Sequence, residues 1–269
     1  MIDGAAPGTA VGAAAHRAGW RWSLLGVVAW IGAWWAMVVL LRISPDFLPT
    51  PGQVARKLVW LTQNEVGGGT LAVHVGWSVL RFACGFAVAA LVGVPLGLLM
   101  GQVRWVRELV NPLFDLLRNV PPIAWAPFAL LWFGASFGSQ VFVIFTSSFA
   151  PMLINAYQGL RGMDPGYVRA ARMLGAGPTA ILFRVGLPAA LPLVAAGLRI
   201  GVANGWLALV GAEIIAGPGA LTGLGYLILV GQENLQADLT IGAMAVIGVL
   251  GAGFDVAVRV IERRAARYR

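Results

Sequence analysis

Residues 73–100 read VHVGWSVLRFACGFAVAALVGVPLGLLM, with Arg81 as the only Asp, Glu, Lys or Arg among them. About 20 consecutive apolar residues carry a helix across the ~30 Å hydrocarbon core of a bilayer. The stretch therefore predicts a membrane span, and its excess length predicts a helix that tilts or projects beyond the bilayer. Working outward, further apolar runs occupy residues 22–41, 123–133, 141–157, 194–215 and 241–260. The expected fold is all-α: one polytopic membrane domain of six spans. The third run is short and opens with Pro121, Pro122 and Pro127. Proline removes helical hydrogen bonds that lipid cannot replace, so this segment is expected against protein. Residues 221–230 are apolar but too short to span, and read as a re-entrant or interfacial piece.

Composition agrees. The 269 residues are 59% hydrophobic and 11% charged, with mean hydropathy +0.80. Soluble domains average about 25% charged residues, so most of this surface must face something apolar. The net charge of +8 would fit nucleic acid, but the charges sit between apolar runs rather than on one helix face, which excludes that partner. The single Cys84 rules out a disulfide framework. His16 and His74 stand far apart without ligand-spaced neighbours, so no metal site is expected. Residues 1–15 hold no Lys or Arg and are rich in Ala and Gly. They do not read as a signal peptide, and residues 1–19 are expected to be a disordered cytoplasmic tail.

Basic residues orient the spans. With the N-terminus inside, six spans put fourteen of the 19 Lys and Arg in inner segments, including Arg104, Arg107 and Arg118, then Arg161, Arg169, Arg172 and Arg184. Outer segments hold only Arg42, Arg56 and Lys57. Both termini are thus expected in the cytoplasm. In the outer loop 44–70, Val54, Leu58 and Leu61 share one helical face with Arg56 and Lys57 opposite. That pattern predicts a short amphipathic helix on the outer membrane surface, either a partner-docking element or a plain connector.

The inner loop 157–192 reads YQGLRGMDPGYVRAARMLGAGPTAILFRVGLPAALP. Asp164 can cap a helix that Pro165 starts, and Gly175 can end it. Ala170 and Ala171 leave a small face that another backbone can approach. About 36 residues with their own helices is long for a connector, and this element reads as a docking piece for a cytoplasmic partner.

RAARMLGA at residues 169–176, followed by LPAALP at 187–192, resembles the EAA signature of ABC importer permeases. ISPDFLPTP at 43–51, VPPIAWAP at 120–127, LWFG at 131–134, Gly205-Trp206 and AEIIA at 212–216 resemble the taurine/sulfonate/nitrate branch. The resemblance runs from about residue 20 to residue 269 and implies a type I importer permease domain there. It implies a homodimer in a bacterial inner membrane, with two ATP-binding subunits that bind ATP and magnesium. A soluble or lipid-anchored binding protein would deliver a small anionic or zwitterionic solute. Asp164, Arg169, Ala170, Ala171, Leu174 and Gly175 then fall on the helix that engages the ATPase. The family's usual Glu is Arg169 here, so its acidic contact is not carried over. The chain is expected to hold no cofactor and to be no enzyme, having no G-x-x-x-x-G-K-[ST] phosphate loop.

Polar and aromatic residues within spans are candidates for the translocation path: Arg81, Trp125, Ser147, Ser148, Asn204, Trp206 and Glu213. Each has a structural alternative. Arg81 can snorkel or pair with a carboxylate, the serines can bond to their own helix, and Asn204 and Glu213 can face the subunit seam; most Trp belong to an aromatic belt, with Trp125 and Trp206 as exceptions. Gly93, Gly97 and Gly101 form a ladder for close helix packing. The rival reading is a proton-coupled carrier or a membrane-embedded enzyme. It needs ionisable relays inside the bilayer, for which only Arg81, Glu213 and Asp255 offer themselves.

Overall fold

A computed structural model describes residues 9–217 and 222–266. Among the described residues the chain is helical throughout, with an isolated backbone bridge between Val66 and Gly69. In chain order the helices are α1 (Thr9–Leu40), α2 (Pro51–Leu61), α3 (Leu71–Gln102), α4 (Arg104–Leu117), a 3-10 turn (Pro122–Trp125), α5 (Ala126–Phe133), α6 (Phe137–Arg161), α7 (Pro165–Met173), α8 (Pro178–Ile181), a π segment (Leu182–Gly186), α9 (Leu187–Ala216), α10 (Leu224–Glu233) and α11 (Ala237–Ala266). Among the described residues, four helical stretches are long and apolar enough to cross a membrane: Leu71–Gln102, Phe137–Arg161, Thr179–Ala216 and Ala237–Val260. Leu25–Leu40 and Pro122–Phe133 are shorter apolar helices at the places of the first and third expected spans.

The centre of the bundle is α6, clasped by α3 on one side and α9 on the other. Glycine makes both contacts possible. A Cβ at Gly97 would meet the Leu153 carbonyl oxygen and, at 2.8 Å, the Ala156 Cβ; one at Gly101 would meet Leu160 at 3.0 Å. On the other side, Gly197 backs onto Asn155 and Pro151, Gly201 onto Met152, and Gly205 onto Ser148. As residue numbers rise along α3 they rise along its α6 neighbours, so these two helices run parallel; along α9 they fall, so α9 is antiparallel to α6. Small residues let backbones close in where lipid supplies no hydrophobic drive. Gly93, Gly97 and Gly101 thus do face a packed neighbour.

Several expectations change. Residues 1–8 of the expected tail lie outside the described residues, and α1 begins at Thr9. Ala10, Ala13, Ala14 and Ala15 favour this, since Ala is the strongest helix former. The inner loop is also shorter than 157–192. Helix α6 continues to Arg161, and a helix runs unbroken from Thr179 into α9 despite Pro188 and Pro192. The π segment absorbs the irregularity, with the Leu187 N–H reaching back five residues to the Leu182 carbonyl. Helix α2 forms as expected, closed by a capping box in which the Thr50 N–H donates to Gln53 at 2.7 Å. Its apolar face does not lie on lipid, however: Val54 and Leu61 are buried and Leu58 packs beside Gly242 of α11.

Candidate functional site

Helix α7 begins as its sequence requires. The Asp164 carboxylate accepts the Gly166 N–H at 2.7 Å and Pro165 takes the first turn. It ends on Gly175 at φ +80°, with the Gly175 N–H bonded to the Arg172 carbonyl and the Ala176 N–H to that of Ala171. That pair of bonds is the Schellman arrangement. No residue of α7 is buried. Tyr167, Met173 and Leu174 are exposed, Leu174 by 88%. Arg169 and Ala170 are exposed too, and Ala171 is half-buried. The six residues assigned to the coupling helix therefore sit together on a well-capped helix whose outer face is open.

The path candidates separate. Arg81 and Glu213 pair at 3.1 Å with side chains 5% and 0% exposed. Glu213 Oε1 also accepts from Ser78 Oγ at 2.7 Å, and Oε2 accepts from the Gly225 N–H at 2.8 Å. Arg81 donates to the Thr222 carbonyl at 2.6 Å and lies over the Trp77 ring. The fully buried His74 accepts the Gly223 N–H on Nδ1 at 2.8 Å, and its Nε2 lies 2.8 Å from the Val66 carbonyl oxygen, to which it donates in that tautomer. Gly223, at φ +153°, has no room for a Cβ, which would strike the Glu213 carboxylate. The cluster ties α3, α9 and the start of α10 into one buried joint.

Trp206 is 4% exposed, donates Nε1–H to the Ile247 carbonyl at 3.1 Å and packs against Phe82 and Phe254. Ser147 donates to the Asn204 carbonyl at 3.0 Å, and Ser148 to that of Gly201 at 2.9 Å. These bonds cross from α6 to α9 rather than closing within α6. Arg81, Ser147, Ser148, Trp206 and Glu213 are thus interior joints, and in this conformation none of them faces an opening. Asn204 differs, for it is exposed halfway along α9. Trp125 is half-buried, against Phe128 and Phe142.

Arg118, expected in an inner segment, directly follows α4. Helix α4 leans back into the bundle: Phe114 clusters with Met100 and Leu153 and meets the Phe149 ring at 6.3 Å. Helix α4 and the short apolar segment at 122–133 are two helical pieces separated by a break at 118–121. Hydropathy hid α4 because its charges all lie on one face.

The chain matches the family model described as "Binding-protein-dependent transport system inner membrane component" over residues 93–267. It is 36% identical over 258 residues to the taurine transport system permease protein TauC of Escherichia coli (strain K12), covering 93% of each chain. It is 33% identical over 220 residues to the nitrate import permease protein NrtB of Synechocystis sp., covering 80% of this chain and 79% of that one. Its fold resembles a chain of the MetNI methionine ABC transporter in an inward-facing conformation, with TM-score 0.60 at 18% identity over 78% of this chain and 98% of the other. An all-helical apolar bundle, a capped and exposed helix on the EAA-like loop and relatives that are themselves permeases agree: this chain belongs to the inner-membrane permease components of ABC transporters, and as such it is a transport subunit rather than an enzyme.

Proposed function

We propose that two copies of this chain form the membrane path of an ATP-driven importer for a small anionic or zwitterionic solute. Two ATP-binding subunits would sit on the cytoplasmic side, holding ATP and magnesium, and a soluble or lipid-anchored binding protein would deliver solute outside. The six-span topology has both ends in the cytoplasm of a bacterium bounded by this inner membrane.

The observation that carries the reading is α7. A nine-residue helix capped at both ends, with no buried residue and with Tyr167, Met173 and Leu174 open, is a docking element without its partner. A cleft on each ATPase would take this helix, with Ala170 and Ala171 allowing close approach. ATP would close the two ATPases, draw the two α7 helices together and rotate the glycine-packed bundles so that the seam between copies opens outward. The buried Arg81–Glu213 joint would let α3, α9 and α10 move as one body.

Reconstitution tests this. Proteoliposomes holding the permease and its ATPase, with the binding protein outside and ATP inside, should accumulate solute only when all parts are present. Accumulation by the permease alone under a proton gradient would favour a proton-coupled carrier instead.

A further inference from the structure

The Asp115–Arg118 ion pair, 3.1 Å apart, is at the break between α4 and the segment at 122–133, and both side chains are about half exposed, at 56% and 46%. Its depth follows from its neighbours. Phe114 packs among Phe149 and Leu153 of α6 and Met100 near the end of α3. Phe149 is the middle residue of α6, ~18 Å from either end at 1.5 Å per residue. Beyond the pair, Ile123 reaches Gly211, five residues from the outer end of α9. Residues 115–119 therefore lie near the middle of the bundle, well away from either surface.

An ion pair that open cannot be left to hydrocarbon, and non-helical backbone at membrane depth is tolerated only against protein or a water-filled cavity. The chain stops being helical at this point: Pro121 and Pro122 supply no N–H, and Asn119 turns its amide back to the Asp115 carbonyl at 2.7 Å. Exposed Asn204 is at the same level, since Ser147 of α6 bonds its carbonyl. Charged side chains and an interrupted helix at mid-depth are the ingredients of a solute site. The buried Arg81–Glu213 pair, by contrast, has no free face to offer.

We propose that Asp115 and Arg118 form a solute-binding site in the path that is selective for short zwitterions. Arg118 would take a sulfonate or carboxylate and Asp115 an ammonium group. This rests on the permease reading above and narrows its solute class. A simple anion would meet Arg118 but also the Asp115 carboxylate beside it, whereas a molecule carrying both charges exchanges the internal pair for two matched ones. Two-fold pairing of copies would bring a second such pair to the seam.

The test uses the permease–ATPase complex in lipid nanodiscs without binding protein, so that any selectivity belongs to the membrane part. Binding of taurine is compared with that of ethanesulfonate, and binding of β-alanine with that of propionate, by calorimetry. Each zwitterion should bind at least tenfold more tightly than its ammonium-free partner. Asp115→Asn should erase that ratio, Asp115→Glu should keep it, and Arg118→Gln should weaken all four. Equal binding within each pair, no binding of any probe, or a ratio unchanged in Asp115→Asn would overturn the site. ATP-driven uptake by the complete assembly is followed in parallel. Its absence would defeat the importer reading, whereas uptake without zwitterion preference would defeat only this site.

Discussion

In the seam between α3, α6 and α9, each glycine backs onto a neighbouring helix: Gly97 onto Leu153 and Ala156, Gly201 onto Met152, Gly205 onto Ser148. In α7 and its cap the same kind of residue has no such neighbour, and nothing lies within 4 Å of a Cβ at Gly175. Both regions are rich in small residues, yet one has spent them on contacts inside the chain and the other holds them out. Small side chains mark close approach of another backbone. Gly175 instead serves the φ +80° turn that ends α7, and its surroundings in the chain are open. A large residue should therefore damage the fold in the seam and only the assembly in α7.

The largest effect should come from Gly97→Leu. Its side chain would collide with the Leu153 carbonyl and with Ala156, whose positions are set by a helix that cannot yield locally. Monodisperse protein recovered from membranes should fall at least tenfold, whereas Leu98→Ala, at a half-buried position, should cost far less. Normal recovery of Gly97→Leu would show that the seam tolerates separation and would remove the contrast with α7.

Next comes the buried joint. Glu213→Ala leaves Arg81 buried without its carboxylate partner, a loss of about 3–5 kcal/mol. Heating in detergent should unfold this variant at a clearly lower temperature than the parent. Replacing both residues with Leu should recover part of the loss, because an apolar pair leaves no uncompensated charge although the Gly225 N–H and the Thr222 carbonyl lose their partners. If the double variant were worse than the single one, the cluster would be doing something other than bracing α3 against α9.

The smallest effect belongs to Arg169→Glu, which installs the usual family residue on an exposed position of α7. A charge beside water contributes about 0–1 kcal/mol. Uptake by the reconstituted complex should stay within about threefold of the parent. A much larger loss would identify Arg169 as a specific contact of the ATPase.

Much of this architecture was legible beforehand, for reasons that differ by element. The spans at α3, α6, α9 and α11 announce themselves because a long apolar run has few other uses. Helix α7 was legible from Asp164, Pro165 and Gly175, three residues with narrow conformational preferences. The Gly93–Gly97–Gly101 ladder was legible because the helical repeat alone puts its members on one face. What stayed hidden needed distance in sequence or a face rather than a sum. Glu213 and Arg81 are 132 residues apart, so nothing local pairs them. Asp115 lies on, and Arg118 caps, an amphipathic helix whose average hydropathy resembles that of a surface loop. The π segment at Leu182–Gly186, ahead of Pro188 and Pro192, has no local signature in the sequence.

The central claim is that α7 transmits ATPase movement to the bundle. Gly175→Val tests it most directly. Valine at φ +80° costs about 1–2 kcal/mol and should disorder the Schellman end of α7, while the seam lies elsewhere and stays intact. Membrane abundance, co-purification of the ATPase and ATP-driven uptake should be measured together on this variant. The account predicts abundance within about twofold of the parent, uptake reduced at least tenfold, and either lost co-purification or hydrolysis that no longer responds to solute-loaded binding protein. Parental uptake in Gly175→Val at parental abundance would contradict it.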